Sequence, residues 1–205
     1  NSGLSGGLDC LERIDSYHRF SATLSIDYTR PTGLSIFDYY GRGVAIQSAA
    51  FADLIKAHCQ PCVLAGHSFG GALALQLAVD YPKNVAAVVS LAGTIAAPFQ
   101  KPKWYKYLAE DPWIQTFLSE GFLESNREMM LLSKDLYALT AKLKGLDLPI
   151  YLLQGGKDIL VNPGTPFYLL DQFNRIYLRF NSQWDHFIIW TEREEVFQFL
   201  QGVNL

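Results

Sequence analysis

The sequence predicts an α/β fold, a mainly parallel sheet covered by helices on both faces. Three observations carry that expectation. Short apolar runs alternate with longer helix-like segments along the chain. The runs "VAAVVSLA" (85–92) and "PIYLLQG" (149–155) are apolar almost throughout, as strands buried on both faces must be. One such run also passes through a small, glycine-rich turn straight into a helix-like segment, at "AGHSFGGALALQLA" (65–78).

The elements follow in order. Residues 9–19 read as a helix and "FSATLSID" (20–27) as a strand ending in an acid. "YTRPTG" is a loop, punctuated by Pro and Gly. Residues 35–58 are mostly helical, with Gly41 and Gly43 weakening the first half. "PCVLAG" (61–66) is a short strand, and residues 69–81 form a helix stopped by Pro82. Strands follow at 85–92, 149–155 and 176–180, and residues 191–201 close the chain as an amphipathic helix. Residues 96–146 interrupt this rhythm. They hold no strand pattern and are too long for an ordinary connection, so they are expected to form a small helical cap. The division is then 1–95 and 147–205 for the core and 96–146 for the cap. Trp104, Trp113, Phe117 and Phe122 of the cap either line a substrate pocket or pack among themselves.

Composition narrows the function classes. The chain has 205 residues, 49% hydrophobic, with a formal net charge of −3. That suits a domain with a sizeable core and argues against a nucleic-acid or anionic-membrane partner. No apolar run reaches the ~18 residues of a membrane span and no signal peptide is visible, which gives a cytoplasmic expectation. Asn1 is not a start methionine, so an upstream segment is allowed for. Three cysteines give no disulfide framework, and Cys59 and Cys62, a lone CxxC, read as ordinary core and loop residues. Zinc would need about two further ligands at sensible spacing, so no metal is expected. No phosphate loop or dinucleotide fingerprint is present, so no cofactor is implied.

The chemistry concentrates at Gly66-His67-Ser68-Phe69-Gly70, which fits G-x-S-x-G directly between a strand and a helix. Ser68 is expected on a tight, strained turn. Gly66 and Gly70 leave room for crossing backbones, and Gly71 lets helix and strand approach. The helix N-terminus then faces the serine and favours negative charge there. A nucleophilic serine needs a base, and the base an orienting acid. His186 lies in "NSQWDHF", in a loop after the last strand, where sites of open α/β sheets gather. Asp158 lies in "LLQGGKDIL", after the preceding strand. His18 and His58 lack a companion acid in a suitable loop, and His67 is expected to point away from the site. Asp185 adjoins His186 and should diverge from its ring, while Asp147 stands at the wrong end of the sheet.

The order Ser68, Asp158, His186, with an insertion after "VAAVVSLA", resembles the α/β-hydrolase family from the N-terminus to the final helix. The resemblance implies Ser68 as nucleophile, His186 as general base and then acid, and Asp158 as the orienting carboxylate. "GHSFGG" is similar to elbows of esterases, thioesterases and related acyl-handling members. Of the two backbone donors to an oxyanion, Phe69 supplies one. Aligning Ser2-Gly3-Leu4 with the family's H-G-x-G loop makes the Leu4 N–H the other. The strand that precedes this loop in the family is then missing from the chain. An upstream segment or a second chain is expected to complete the sheet between strands 20–27 and 61–66.

The function expected is a serine hydrolase. It would cleave a small-molecule ester or thioester of largely hydrophobic character through an acyl-enzyme. An acyltransferase with the same triad, or a ligand-receptor or interaction module on this fold, are the alternatives.

Overall fold

The structure is a computed structural model that describes residues 43–59, 61–100 and 107–203. The expected helix 9–19, strand 20–27 and glycine loop at 1–7 lie outside the described residues, as do Leu4 and Trp104.

The second half of the helical stretch predicted over 35–58 is two helices, α1 (Val44–Ala50) and α2 (Ala52–His58), with the chain turning at Phe51. Four strands follow: β1 (Cys62–His67), β2 (Val85–Leu91), β3 (Ile150–Gly155) and β4 (Ile176–Asn181). They pair in the order β1-β2-β3-β4, and every pairing is parallel. Parallel pairing brings the carboxyl ends of all four to one edge, with His67 beside Leu91, Leu91 beside Leu153, and Leu153 beside Arg179. β3 is buried at every position, which explains its unbroken apolar sequence. Ala65 of β1 is exposed, and among the described residues β1 pairs only with β2.

Each face of the sheet is covered. Helix α3 (Phe69–Asp80) follows β1 and packs on β1 and β2, with Leu75 and Ala78 fully buried. It is apolar nearly all round because α1 and helix α5 (Glu120–Leu143) pack on it in turn. On the other face, Val89, Leu91, Tyr151 and Leu153 pack with Trp184, Ile188 and Val196. Those three come from the loop after β4 and from helices α7 (Ile188–Thr191) and α8 (Arg193–Gln201). Helix α6 (Thr165–Leu170) joins β3 to β4. Burying a Leu or Val side chain contributes about 1.5–3 kcal/mol, so these two layers supply the main stabilisation.

Where described, residues 96–146 carry helices and no strand, with a short helix α4 (Pro112–Gln115) before α5. Asp111 caps α4 and Ser119 caps α5 through their side-chain oxygens. Leu132, Leu136, Leu139 and Leu143 of α5 are buried at intervals of one helical turn. Asp135, between them, accepts a hydrogen bond from the Val44 N–H at 2.8 Å and so caps α1 from another helix. The second half of this segment is therefore built into the layer over α3.

The cysteine expectation is corrected. Cys59 at the end of α2 and Cys62 at the start of β1 form a disulfide, with their Cα atoms 4.7 Å apart. The reason lies in the turn between helix and strand. Asn84 donates to the Cys59 carbonyl at 2.9 Å and accepts from the Cys62 N–H at 2.9 Å, which draws the two residues together.

Gly66 is required by close approach. A Cβ there would lie 2.7 Å from the Gly71 nitrogen and nearer still to the Gly70 carbonyl, backbone atoms that cannot rotate away. Gly71 has a similar role toward β2, since its Cβ would come 3.0 Å from Gly93 Cα. Gly70 differs from the sequence expectation, because no described atom lies within 4 Å of a Cβ built there. Gly66→Ala is expected to destabilise the fold by about 1–3 kcal/mol through overpacking. Gly70→Ala should stay within about 0.5 kcal/mol of the parent. Urea unfolding midpoints of the two variants check the contrast.

Candidate active site

Ser68 sits between β1 and α3 with φ 55° and ψ −122°, in the region that non-glycine residues rarely adopt. The surrounding backbone holds it there. The Ser68 N–H donates to Leu91 O at 3.0 Å, and the Ser68 carbonyl accepts from Gly71 N at 3.0 Å and Thr94 N at 2.9 Å. Leu91, the last residue of β2, and Thr94 beyond it thus brace the turn, and Ala92 between them also has positive φ (47°). Phe69 is the first residue of α3, so its N–H is one of those a helix leaves without an internal partner.

Asp158 lies just past β3 and is buried. Its carboxylate meets donors on both oxygens. Oδ1 accepts from the Leu160 N–H at 2.9 Å and the Val161 N–H at 2.8 Å. Oδ2 accepts from Gln154 Nε2 at 3.0 Å and from His186 Nδ1 at 2.9 Å. With Nδ1–H donating to the carboxylate, the lone pair of a neutral His186 is on Nε2, the nitrogen that can take a proton. His186 is also buried. Its loop is tied down on either side, by Lys157 N–H to Trp184 O at 2.8 Å and by Phe187 N–H to Asp185 Oδ1 at 2.7 Å.

The other acids are engaged elsewhere. Asp185 caps the turn into α7, and Asp147 pairs with Arg175 at 2.9 Å on the surface before β3. His67 departs from expectation. It does not point away: its Nε2 lies 2.9 Å from the His186 carbonyl, and the two rings are 4.8 Å apart. The edge of Trp190 closes its other side at 5.3 Å. Burial pushes the His67 imidazole below its ordinary value of 6.5, outweighing the opposing effect of its hydrogen bond to the His186 backbone.

Two residues of the site escaped the sequence reading. Gln154 is the lone polar side chain in the otherwise apolar "IYLLQG", and a buried amide in such a strand signals a polar partner nearby. His67 gave no signal beyond its place beside Ser68. The described aromatics of the 96–146 segment are displayed rather than enclosed. Trp113 and Phe117 are each 78% exposed and lie against one another with ring centres 6.3 Å apart; Phe122 is half exposed. Nearer the Asp158–His186 pair, Ile159, Leu160, Phe187 and Trp190 are also exposed. Among the described residues no group of His, Cys, Asp or Glu is arranged to hold a metal ion. No described helix is long and apolar enough to cross a membrane.

The sequence pattern described as the alpha/beta hydrolase family matches residues 15–203. The chain belongs to that family. Solved structures agree on the fold of this alpha/beta hydrolase. A monoacylglycerol lipase from Paleococcus ferrophilus superposes with a TM-score of 0.61 at 18% identity, over 78% of this chain and 75% of that one. A lipase-esterase related protein from Clostridium acetobutylicum gives 0.57 at 16% identity, over 95% and 88%. An esterase from Exiguobacterium antarcticum gives 0.56 at 17% identity, over 78% and 72%. No curated protein matches the sequence significantly.

The lowered His67 value makes stability pH-dependent. Below 6.5 the unfolded chain takes up a proton at His67 that the folded hydrolase resists, so stability falls as the pH drops through 6.5 toward the lower folded value. His67→Gln removes this contribution. Denaturant unfolding at about pH 7.5 and about pH 5.5, on either side of the ordinary histidine value, should show the parent losing more stability than the variant.

Proposed function

We propose that this alpha/beta hydrolase cleaves carboxylic esters or thioesters with Ser68, His186 and Asp158 as its triad. The observation that carries the reading is the contact between the serine turn and the histidine loop. The residue before Ser68 is hydrogen-bonded to His186 itself, at 2.9 Å, while Asp158 holds the His186 ring from the other side at 2.9 Å. Base and nucleophile thus belong to one tied assembly at the carboxyl edge of the sheet.

The chemistry follows from the groups. Ser68 Oγ attacks the carbonyl carbon as its proton passes to His186 Nε2. The carbonyl oxygen gains negative charge and is met by the Phe69 N–H at the start of α3, with the second donor proposed at Leu4. Collapse of the tetrahedral intermediate breaks the bond to the alkoxide or thiolate, which leaves with the proton from His186. An acyl-Ser68 ester remains. Water then gives a proton to His186 as it attacks the acyl carbon. Collapse of this second intermediate breaks the bond to Ser68 Oγ, which takes the proton back from His186 as the acid leaves. Asp158 stays an acceptor throughout and stabilises the imidazolium formed in each half. No cofactor enters this cycle.

A largely hydrophobic acyl or aromatic substrate is supported by the apolar side chains beside the two partners, Ile159 and Leu160 after Asp158, and Phe187 and Trp190 near His186. Three names among the solved likenesses are of lipases or esterases, which accords with this class. The further proposal that residues 96–146 cap the site assigns Trp104, Trp113, Phe117 and Phe122 to substrate contact. The exposure of Trp113, Phe117 and Phe122 fits rings that meet an apolar molecule when it binds.

The test is turnover of p-nitrophenyl butyrate by parent and Ser68→Ala protein, with circular dichroism to check folding. Loss of the nucleophile is expected to lower kcat by about 10³–10⁶-fold while the spectrum is unchanged. A fluorophosphonate should label Ser68 in the parent, located by peptide mass spectrometry. A variant within about tenfold of the parent removes Ser68 from the mechanism.

A further inference from the structure

His67 has no part in the acyl cycle above, yet its side chain joins the nucleophile's strand to the base's loop. The His186 carbonyl can only accept, so at 2.9 Å the His67 Nε2 carries the proton and donates it. The bond spans 119 positions of sequence and ends one residue from Ser68. Asp158 controls the rotation of the His186 ring through Nδ1. It does not by itself fix the His186 backbone relative to β1. The other backbone hydrogen bonds of the loop reach back to its own side of the sheet, Trp184 N–H to Asn181 O and Lys157 N–H to Trp184 O, while Trp184 and Ile188 pack on Val89 and Leu91. His67 supplies the tie toward the elbow.

We propose that His67 is a positioning residue, whose Nε2–H clamps the His186 carbonyl and holds the catalytic imidazole at the distance from Ser68 that proton transfer needs. The inference rests on the triad reading above. Any movement of the His186 backbone away from the serine turn has to break this bond, because the clamp and Ser68 share one stretch of backbone. The His67 ring also packs against two others, tilted 50° to His186 and near-perpendicular to Trp190. The lowered proton affinity of His67 favours the neutral ring. A cation 4.8 Å from an imidazole that must itself become cationic would oppose proton uptake.

The variants are His67→Gln, whose amide N–H reaches about as far as Nε2, and His67→Leu, which keeps bulk without a donor. His67→Ala serves as a second donor-free protein should the Leu form not fold. Displacement of a catalytic group by an ångström costs up to about 100-fold, so His67→Leu is expected to lose about 10- to 100-fold in kcat on p-nitrophenyl butyrate with KM within about twofold. His67→Gln should recover to within about threefold of the parent, since it keeps the donor. Equal kcat in all three, equal loss in Gln and Leu forms, or a rise in KM at unchanged kcat would each overturn the proposal.

A second readout does not need turnover. The His186 Nδ1–H should give a downfield proton signal by NMR, assigned by its absence in His186→Gln. It is expected to persist in the parent and His67→Gln and to exchange faster with water in His67→Leu. An unchanged signal in His67→Leu overturns the clamp even if the parent hydrolyses nothing. Absence of Ser68-dependent turnover with the signal behaving as expected would instead count against the hydrolase reading alone.

Discussion

The backbone of Ser68 is the constraint on which the rest of this molecule turns. A side chain at φ 55° costs of order 1–3 kcal/mol, and the cost is met locally by three backbone hydrogen bonds, from Ser68 to Leu91 and to Ser68 from Gly71 and Thr94. Those bonds join the end of β1, the start of α3 and the loop after β2. They exist only because β1 and β2 run parallel and end together, and because Gly66 and Gly71 let the helix cross close to both strands. The buried surface of α3 then keeps the turn from relaxing. α1 and α5 lie over that helix, and Asp135 of α5 caps α1.

A second assembly, at the ends of β3 and β4, meets the first. Four donors converge on the Asp158 carboxylate, two from its own turn, one from Gln154 and one from His186. A carboxylate buried this completely is tolerated because its acceptor sites are occupied. The same contacts fix which nitrogen of a neutral His186 carries the lone pair. Around this satisfied polar centre Ile159, Leu160, Phe187 and Trp190 are exposed, Ile159 to 88%.

The disulfide between Cys59 and Cys62 stands at the opposite end of β1 from the elbow. It joins α2 to the strand that carries Ser68, so the strand is pinned at its start by a covalent link and at its end by the hydrogen bonds of the turn. Asn84, just before β2, contacts both cysteines through their backbones. The first two strands are therefore tied at both ends.

Much was legible in the sequence because it depends on local pattern. The unbroken apolar runs fixed β2 and β3, Pro82 marked the end of the helix after the elbow, and G-x-S-x-G between strand and helix marked the turn at Ser68. Chain order and strand ends placed Asp158 and His186 at one edge, since a parallel sheet sends every strand's carboxyl end there, and the structure joins the two by a hydrogen bond. What depends on side-chain direction and on distant partners was decided by the tertiary structure alone. His67 turns toward His186, Gln154 reaches Asp158, Cys59 meets Cys62 around Asn84, and Gly70 faces open space among the described residues. None of these has a periodicity or a spacing to announce it. Each is set by which neighbour occupies the space next to it, and that is known only once strands far apart in sequence lie side by side.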